Sequence, residues 1–145
     1  MVIVDSLNFC IETKGLEVYV WCLMPSHLHM IASVEPGNDK GLSGVMHDFK
    51  GFTSKELLRK MDNEFESRRE WLLKHFQVGP NTNQVWQEGM HPIELFSRKF
   101  TNQKVDYIHS NPVAAGIVDE AEHYLFSSAR GYFCNRKGLV NICYH

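Results

Sequence analysis

Two histidines one residue apart, His27-Leu28-His29, are the first place in this chain where residue type and spacing could do chemistry. On a strand, residues two apart project from one face, so both imidazoles point the same way while Leu28 turns to the core. Two imidazoles so placed form half of a site for a divalent metal ion. They also match an ordinary surface pair beside a turn. Two ligands leave a coordination shell incomplete, so a metal would need a third from elsewhere. The other six histidines (His47, His75, His91, His109, His123 and His145) are scattered, and only His91 and His109 flank the second feature.

That second feature is the run Gln103 to Pro112. As a helix it puts Val105 and Ile108 on an apolar face. Gln103, Tyr107 and Asn111 recur every four residues on another face, with Lys104 three positions before the tyrosine. A phenol flanked by a cation and two amides can act as a covalent nucleophile once its proton is removed or its oxygen is held near a cation. A half-buried tyrosine with its hydroxyl in water fits the same pattern. Asn111-Pro112 has a structural reading too: asparagine as a helix N-cap, with proline at the first helical position.

The elements that must position these residues follow from periodicity. Leu7, Cys10 and Ile11 predict a helix over Ile3–Lys14, capped by Asp5 or Ser6 and ended by Gly15. Glu17–Met24 is nearly continuous in β-formers, the pattern of a strand covered on both faces. After Pro25-Ser26 a second strand runs over Leu28–Val34. Residues 37–39 form a loop, and Leu42, Val45, Met46, Phe49, Phe52, Leu57 and Met61 trace a long amphipathic helix. Phe65, Trp71, Leu72 and Phe76 extend it or begin another. A loop over Gly79–Asn83 and a short strand over Gln84–Gln87 come next. Ser97 caps a helix to about His109, Asn111-Pro112 opens a further short one ending near Gly116, and Ser127–Phe133 holds a last helical turn or two. The order implies an α+β sheet layered with helices.

The chain's 145 residues make one domain, large enough to bury a core without disulfide or metal staples. Its 43% hydrophobic and 22% charged residues exclude disorder, collagen and coiled coil. No apolar run approaches the ~20 residues of a membrane helix. The N-terminus lacks the basic region of a signal peptide. Cys10, Cys22, Cys134 and Cys143 form no C-x-x-C pair and read as reduced thiols of a cytoplasmic protein. A net charge of −2 gives no hint of nucleic acid, so any basic surface is local.

Taken together, the two features resemble the single-tyrosine HUH transposases, which include the REP-associated tyrosine transposases and related IS200-like transposases. Met24-Pro25-Ser26-His27-Leu28-His29 is similar to that family's Met-Pro-Asn-His-h-His signature, with Ser26 in place of Asn, a small change in the turn. Tyr107-Ile108-His109-Ser110-Asn111-Pro112-Val113-Ala114-Ala115-Gly116 resembles its tyrosine-helix motif. Between them, Asp48-Phe49-Lys50-Gly51-Phe52-Thr53-Ser54 and Val85-Trp86-Gln87 resemble two further stretches, and Tyr124 to Arg130 resembles the Tyr-x-x-Ser-Ser-Ala tail. The five motifs stand in the family's order over roughly residues 3 to 133.

The resemblance implies a ferredoxin-like antiparallel sheet with helices on one face. It implies metal-dependent cleavage of hairpin or single-stranded DNA through a 5′-phosphotyrosine. Tyr107 is then the nucleophile. His27, His29 and Asn111, four residues after the tyrosine, are the ligands of Mg²⁺ or Mn²⁺. Lys50 and Lys104 are the first choices for phosphate contacts, followed by Arg98 and Lys99. Residues 50–74 carry seven basic side chains against five acidic ones, most of them the solvated faces of helices. With a net charge of −2, DNA binding should be modest and salt-dependent. A homodimer is compatible with the family. A catalytically impaired nucleic-acid-binding remnant is the main alternative function, and a different divalent-metal hydrolase the third, with no candidate base to support it. The family also opens with a β-strand, whereas this chain begins at the first helix. We therefore expect an unpaired edge on Leu28–Val34, and a chain read from a truncated or misassigned gene. Such a chain should be poorly stable or self-associating, with little cleavage activity.

Overall fold

The computed structural model describes residues 1–63, 71, 74, 77–79, 82–87 and 92–144. Helix α1 spans Val2–Lys14 and stops where Gly15, at φ 60°, turns left-handed and donates its N–H to the Cys10 carbonyl. Glycine reaches that conformation without the steric cost of a Cβ. The expected cap at Asp5 or Ser6 is not there. The N-cap is Met1, four residues before Asp5, so Asp5 lies in the first turn and takes the Met1 ammonium, while Ser6 is buried.

Strands β1 (Leu16–Leu23) and β2 (Leu28–Val34) form an antiparallel pair, with Leu23 opposite Leu28 and Leu16 opposite Val34. The register slips by one residue between Val18 and Val20, so Tyr19 is an extra residue in β1. Such a bulge resets which side chains face which way. Leu16 and Val18 before it, and Trp21 beyond it, all join one buried cluster. Val20 and Cys22 belong to the other.

Helix α2 (Gly41–Asn63) begins where the Asn38 side chain accepts the N–H groups of Lys40 and Gly41. Trp71 is also helical, and exposed. Phe65, Leu72 and Phe76 lie outside the described residues. Strands β3 (Gln77–Gly79) and β4 (Thr82–Asn83) form a separate small hairpin, where a plain loop was expected over Gly79–Asn83. Gln84–Gln87 is not a strand. Its tryptophan is held instead by side chains, Trp86 Nε1 donating to Thr53 Oγ1 at 2.8 Å and its ring lying 5.8 Å from that of Phe49.

Helix α3 runs unbroken over Arg98–Ala114. Ser97 caps it as expected, its hydroxyl accepting the Phe100 N–H at 3.2 Å. The expected break at Asn111-Pro112 does not occur. Proline this close to a helix end removes a single backbone bond. The helix closes three residues later, with Ile117 N–H on the Pro112 carbonyl and Gly116 N–H on that of Val113, around Gly116 at φ 68°. A 3₁₀ turn (Ala121–His123) and helix α4 (Ala129–Cys134) follow.

The molecule is thus α+β. Helices α1 and α2 pack on one face of the β1–β2 hairpin, joining Leu7, Cys10, Val45 and Phe49 to Val18 and Trp21. Helix α3 crosses the opposite face, where Ile108 meets Val20 and Cys22. The outer edge of β1 is covered by backbone bonds to Phe126, Ser128 and Cys143. That of β2 pairs with no strand among the described residues, which fits the edge expected from the sequence. No helix among the described residues is long and apolar enough to cross a membrane.

Candidate active site

The floor of the site is the α3-facing side of the hairpin. Val20, Cys22, Met24 and Ile108 are buried there. Cys22 stands directly opposite His29, and burial pushes its thiol up to about 11, so it stays a neutral apolar group. His27 and His29 rise from this floor on one side, as the two-residue period of a strand requires. Their rings meet edge to face with centroids 4.5 Å apart.

Each imidazole is oriented by its surroundings. Nδ1 of His27 is 2.9 Å from the Ser26 hydroxyl, which leaves Nε2 for other work. Nε2 of His29 is buried without a hydrogen-bond partner among the described residues. Burial lowers the pKa of His29, and the neighbouring His27 lowers it further, so its neutral, ligand-competent form is favoured. A buried orphan nitrogen beside a second imidazole is the arrangement a divalent ion would satisfy. Among the described residues no third histidine, cysteine or carboxylate joins the pair.

Helix α3 brings Tyr107 to this place. Its ring lies edge to face on His29 with centroids 5.7 Å apart, and the side chain is 54% exposed. One turn on, Asn111 Nδ2 donates to the Tyr107 carbonyl at 2.7 Å. That bond fixes the amide nitrogen on the helix and leaves the amide oxygen unbonded among the described residues. Asn111 is therefore interior to the helix and does not cap it. The residues present fit a divalent ion: two adjacent imidazoles, with the Asn111 amide oxygen one turn beyond Tyr107 on the tyrosine's own helix.

The expected phosphate contacts divide. Lys104 stands over the Tyr107 ring at 5.6 Å and over the Phe100 ring at 5.3 Å. Arg98 and Lys99 are exposed at the start of the same helix. Lys50 is on α2, across the hairpin, where its ammonium donates to the Gln87 carbonyl at 3.4 Å. No contact joins it to Tyr107. Within the basic 50–74 stretch, Arg59 is taken up by a two-armed bond to Glu56. Arg68, Arg69 and His91 lie outside the described residues.

Sequence spacing alone missed the anchor behind Tyr107. His109 is buried at 1% exposure, its Nε2 2.7 Å from Ser128 Oγ. The Ser128 hydroxyl also accepts the Trp21 N–H at 3.0 Å and donates to the Trp21 carbonyl at 3.2 Å. With Nε2 protonated, the hydroxyl accepts twice and donates once, while Nδ1 of His109 is buried with no hydrogen-bond partner among the described residues. This cluster ties α3 to β1 beside the nucleophile candidate. Burial brings the His109 pKa down to about 4, so the ring is neutral at neutral pH. The pointer in the sequence was Ser127-Ser128-Ala129, a motif with no role assigned to it.

A sequence model described as "Transposase IS200 like" matches residues 3–110, which include both histidines and the tyrosine and stop just short of Asn111. A REP-associated tyrosine transposase of Escherichia coli (strain K12) is 25% identical over 125 residues, covering 83% of this chain and 61% of the relative. The chain thus spans less than two thirds of that relative's length. No solved structure matches it.

Proposed function

Because the chain belongs to the IS200-like transposase family, we propose that it cleaves and rejoins single-stranded DNA, presented as or beside a hairpin, through Tyr107. In this reading residues 1–145 act as one HUH-type domain, and His27, His29 and Asn111 hold Mg²⁺ or Mn²⁺. The observation that carries it is the contact of the Tyr107 ring with His29, side chains nearly 80 residues apart in sequence. A bound divalent ion supplies charge neutralisation at the scissile phosphate and holds its oxygens in line for displacement.

The chain's own residues do the rest. The Tyr107 oxygen attacks phosphorus, the bond from phosphorus to the 3′-oxygen breaks, the phenol loses its proton and the departing oxygen gains one. The products are a 5′-phosphotyrosine and a free 3′-hydroxyl. The phosphodiester bond energy is kept, so a later hydroxyl can reverse the exchange and rejoin DNA. Lys104, over the phenol ring, stands where it can meet the phosphate that Tyr107 attacks. Ser26 orients His27 so that Nε2 faces outward.

A second reading has one observation behind it. The outer edge of β2, the strand that carries His29, pairs with no strand among the described residues, and an unsupported edge loosens the element that must hold the ligands. A chain that binds hairpin DNA without cleaving it fits that defect. Covalent capture separates the two. An end-labelled hairpin oligonucleotide incubated with the protein and Mn²⁺ should shift to a protein-linked band, and EDTA should prevent the shift. Binding with no linked band under any divalent ion would favour the second reading.

A further inference from the structure

The solvent face leading to Tyr107 is aromatic and cationic. Phe96 is 84% exposed, the most exposed of the large apolar side chains among the described residues. Phe100 follows four positions later, half-buried, in the first turn of α3. The Lys104 ammonium sits between the Phe100 and Tyr107 rings, 5.3 and 5.6 Å from their centroids. Phe100, Lys104 and Tyr107 therefore follow one another along a single helix face, with Phe96 just ahead of the cap.

The charges around this face are placed against the interest of the helix. Arg98 and Lys99 occupy its first turn, where the macrodipole disfavours cations, and no acidic residue lies there to offset them. Neither has an ion-pair partner among the described residues. Rings that fold stability would bury and cations that a helix start would avoid share one stretch, which ends at the candidate nucleophile. A ligand with flat apolar faces and a negative backbone answers both features, and single-stranded nucleic acid is that ligand.

We propose that Phe96 and Phe100 are a base-stacking platform that holds the unpaired nucleotides next to the scissile phosphate, with Lys104, Arg98 and Lys99 on their phosphates. The proposal rests on the reading of Tyr107 as the nucleophile for its orientation only. From Phe100 to Tyr107 the helix rises about 10 Å. That is room for roughly three stacked nucleotides at about 3.4 Å each. Paired bases hide their faces in the duplex stack, so the platform selects single strands, whereas lysines and arginines alone would accept duplex as well. It assigns a source of single-strand preference that phosphate contacts cannot supply.

The test uses the full chain and a single-stranded oligonucleotide carrying 2-aminopurine, whose fluorescence is quenched on stacking. Titration with Tyr107→Phe protein, which keeps the ring and forms no adduct, should quench the probe, and a duplex of the same sequence should not respond. Phe96→Leu and Phe100→Leu should each weaken single-strand binding roughly tenfold and relieve the quenching, and Phe100→Trp should restore both. Phe96 is so exposed that its leucine variant isolates the effect should Phe100→Leu fold poorly. Leucine variants that bind and quench like the parent would overturn the platform, as would equal affinity for duplex. Adduct formation by the unmodified protein is scored separately. An adduct with no dependence on either phenylalanine removes the platform and keeps the nucleophile. Quenching that depends on them, without an adduct, does the reverse.

Discussion

Across the same two strands, the face under α1 and α2 is a closed apolar layer, whereas the face under α3 is apolar only at its floor. On the first, Leu7, Val18, Trp21, Val45 and Phe49 are each at most 2% exposed. On the second, a thin layer of Val20, Cys22 and Ile108 gives way to His29, His27 and the exposed Tyr107. The polar cluster of His109, Ser128 and the Trp21 backbone adds to the packing of Ile108 as the tie between α3 and the hairpin. One face holds the hairpin together and the other is left free for chemistry. The bulge at Tyr19 allows this, because it lets a nearly all-apolar strand feed both faces without exposing either set.

Mutation should separate the two faces by what each change damages. Phe49→Ala empties a fully buried site on the closed face. It should cost about 3–5 kcal/mol, enough to leave the protein largely unfolded in a thermal melt. A mild loss, with Tm down by only a few degrees, would mean that the closed face is not the main source of stability.

Acid tests the anchor of the open face. The folded pKa of His109 lies near 4, below the ordinary histidine value of 6.5, so the unfolded chain binds the proton first. Stability from this group is therefore present above about pH 6.5 and lost as pH falls through 4, by about 3 kcal/mol at the limit. Urea midpoints at pH 7, 5.5 and 4 should fall steadily, and His109→Gln should flatten the trend in that window. Equal slopes in the two proteins would remove His109 from the account.

Ser128→Ala deprives the Trp21 N–H and His109 of their shared partner, and should cost about 1–3 kcal/mol while also lowering the rate of adduct formation. An unchanged rate would show that the anchor is not needed to position α3.

The smallest effect on stability is expected at Asn111→Ala, since its amide only reinforces one helical carbonyl: less than about 0.5 kcal/mol. Its Mn²⁺ affinity should nevertheless fall at least tenfold, as should that of His27→Ala. Asn111→Asp should keep much of it. Calorimetric titration showing parental affinity in Asn111→Ala would leave the site with two protein ligands.

The closed face was the easier to read in the sequence. The three- and four-residue spacing of Leu7, Cys10 and Val45-Met46-Phe49 marks buried helix faces directly, and α1, β1, β2 and α2 fall within a residue or two of where periodicity puts them. The Ser97 cap was equally plain. Failures come where a local rule met a longer-range partner. Asn-Pro reads as a helix start, but the neighbouring turns carry α3 through it to the Gly116 closure. Gln84–Gln87 reads as a strand because Trp86 is a β-former, yet Thr53 and Phe49 fix that tryptophan without a ladder. In the site, period two placed the histidines on one face. Nothing in spacing could say that Tyr107 meets them, and only the motif resemblance suggested it. Ser128 stood in a recognised motif, but its role was hidden because its partners are Trp21 and His109, more than 100 residues and 19 residues away.

The central claim is that Tyr107 attacks DNA from its place beside the histidine pair. Labelled hairpin DNA and Mn²⁺ should give a covalent adduct with the unmodified protein, and digestion followed by mass spectrometry should put the phosphate on the peptide containing Tyr107. Tyr107→Phe should form none while melting within about 1 °C of the parent, because only an exposed hydroxyl is lost. An adduct that persists in Tyr107→Phe, or a phosphate mapped to any other residue, would contradict the account.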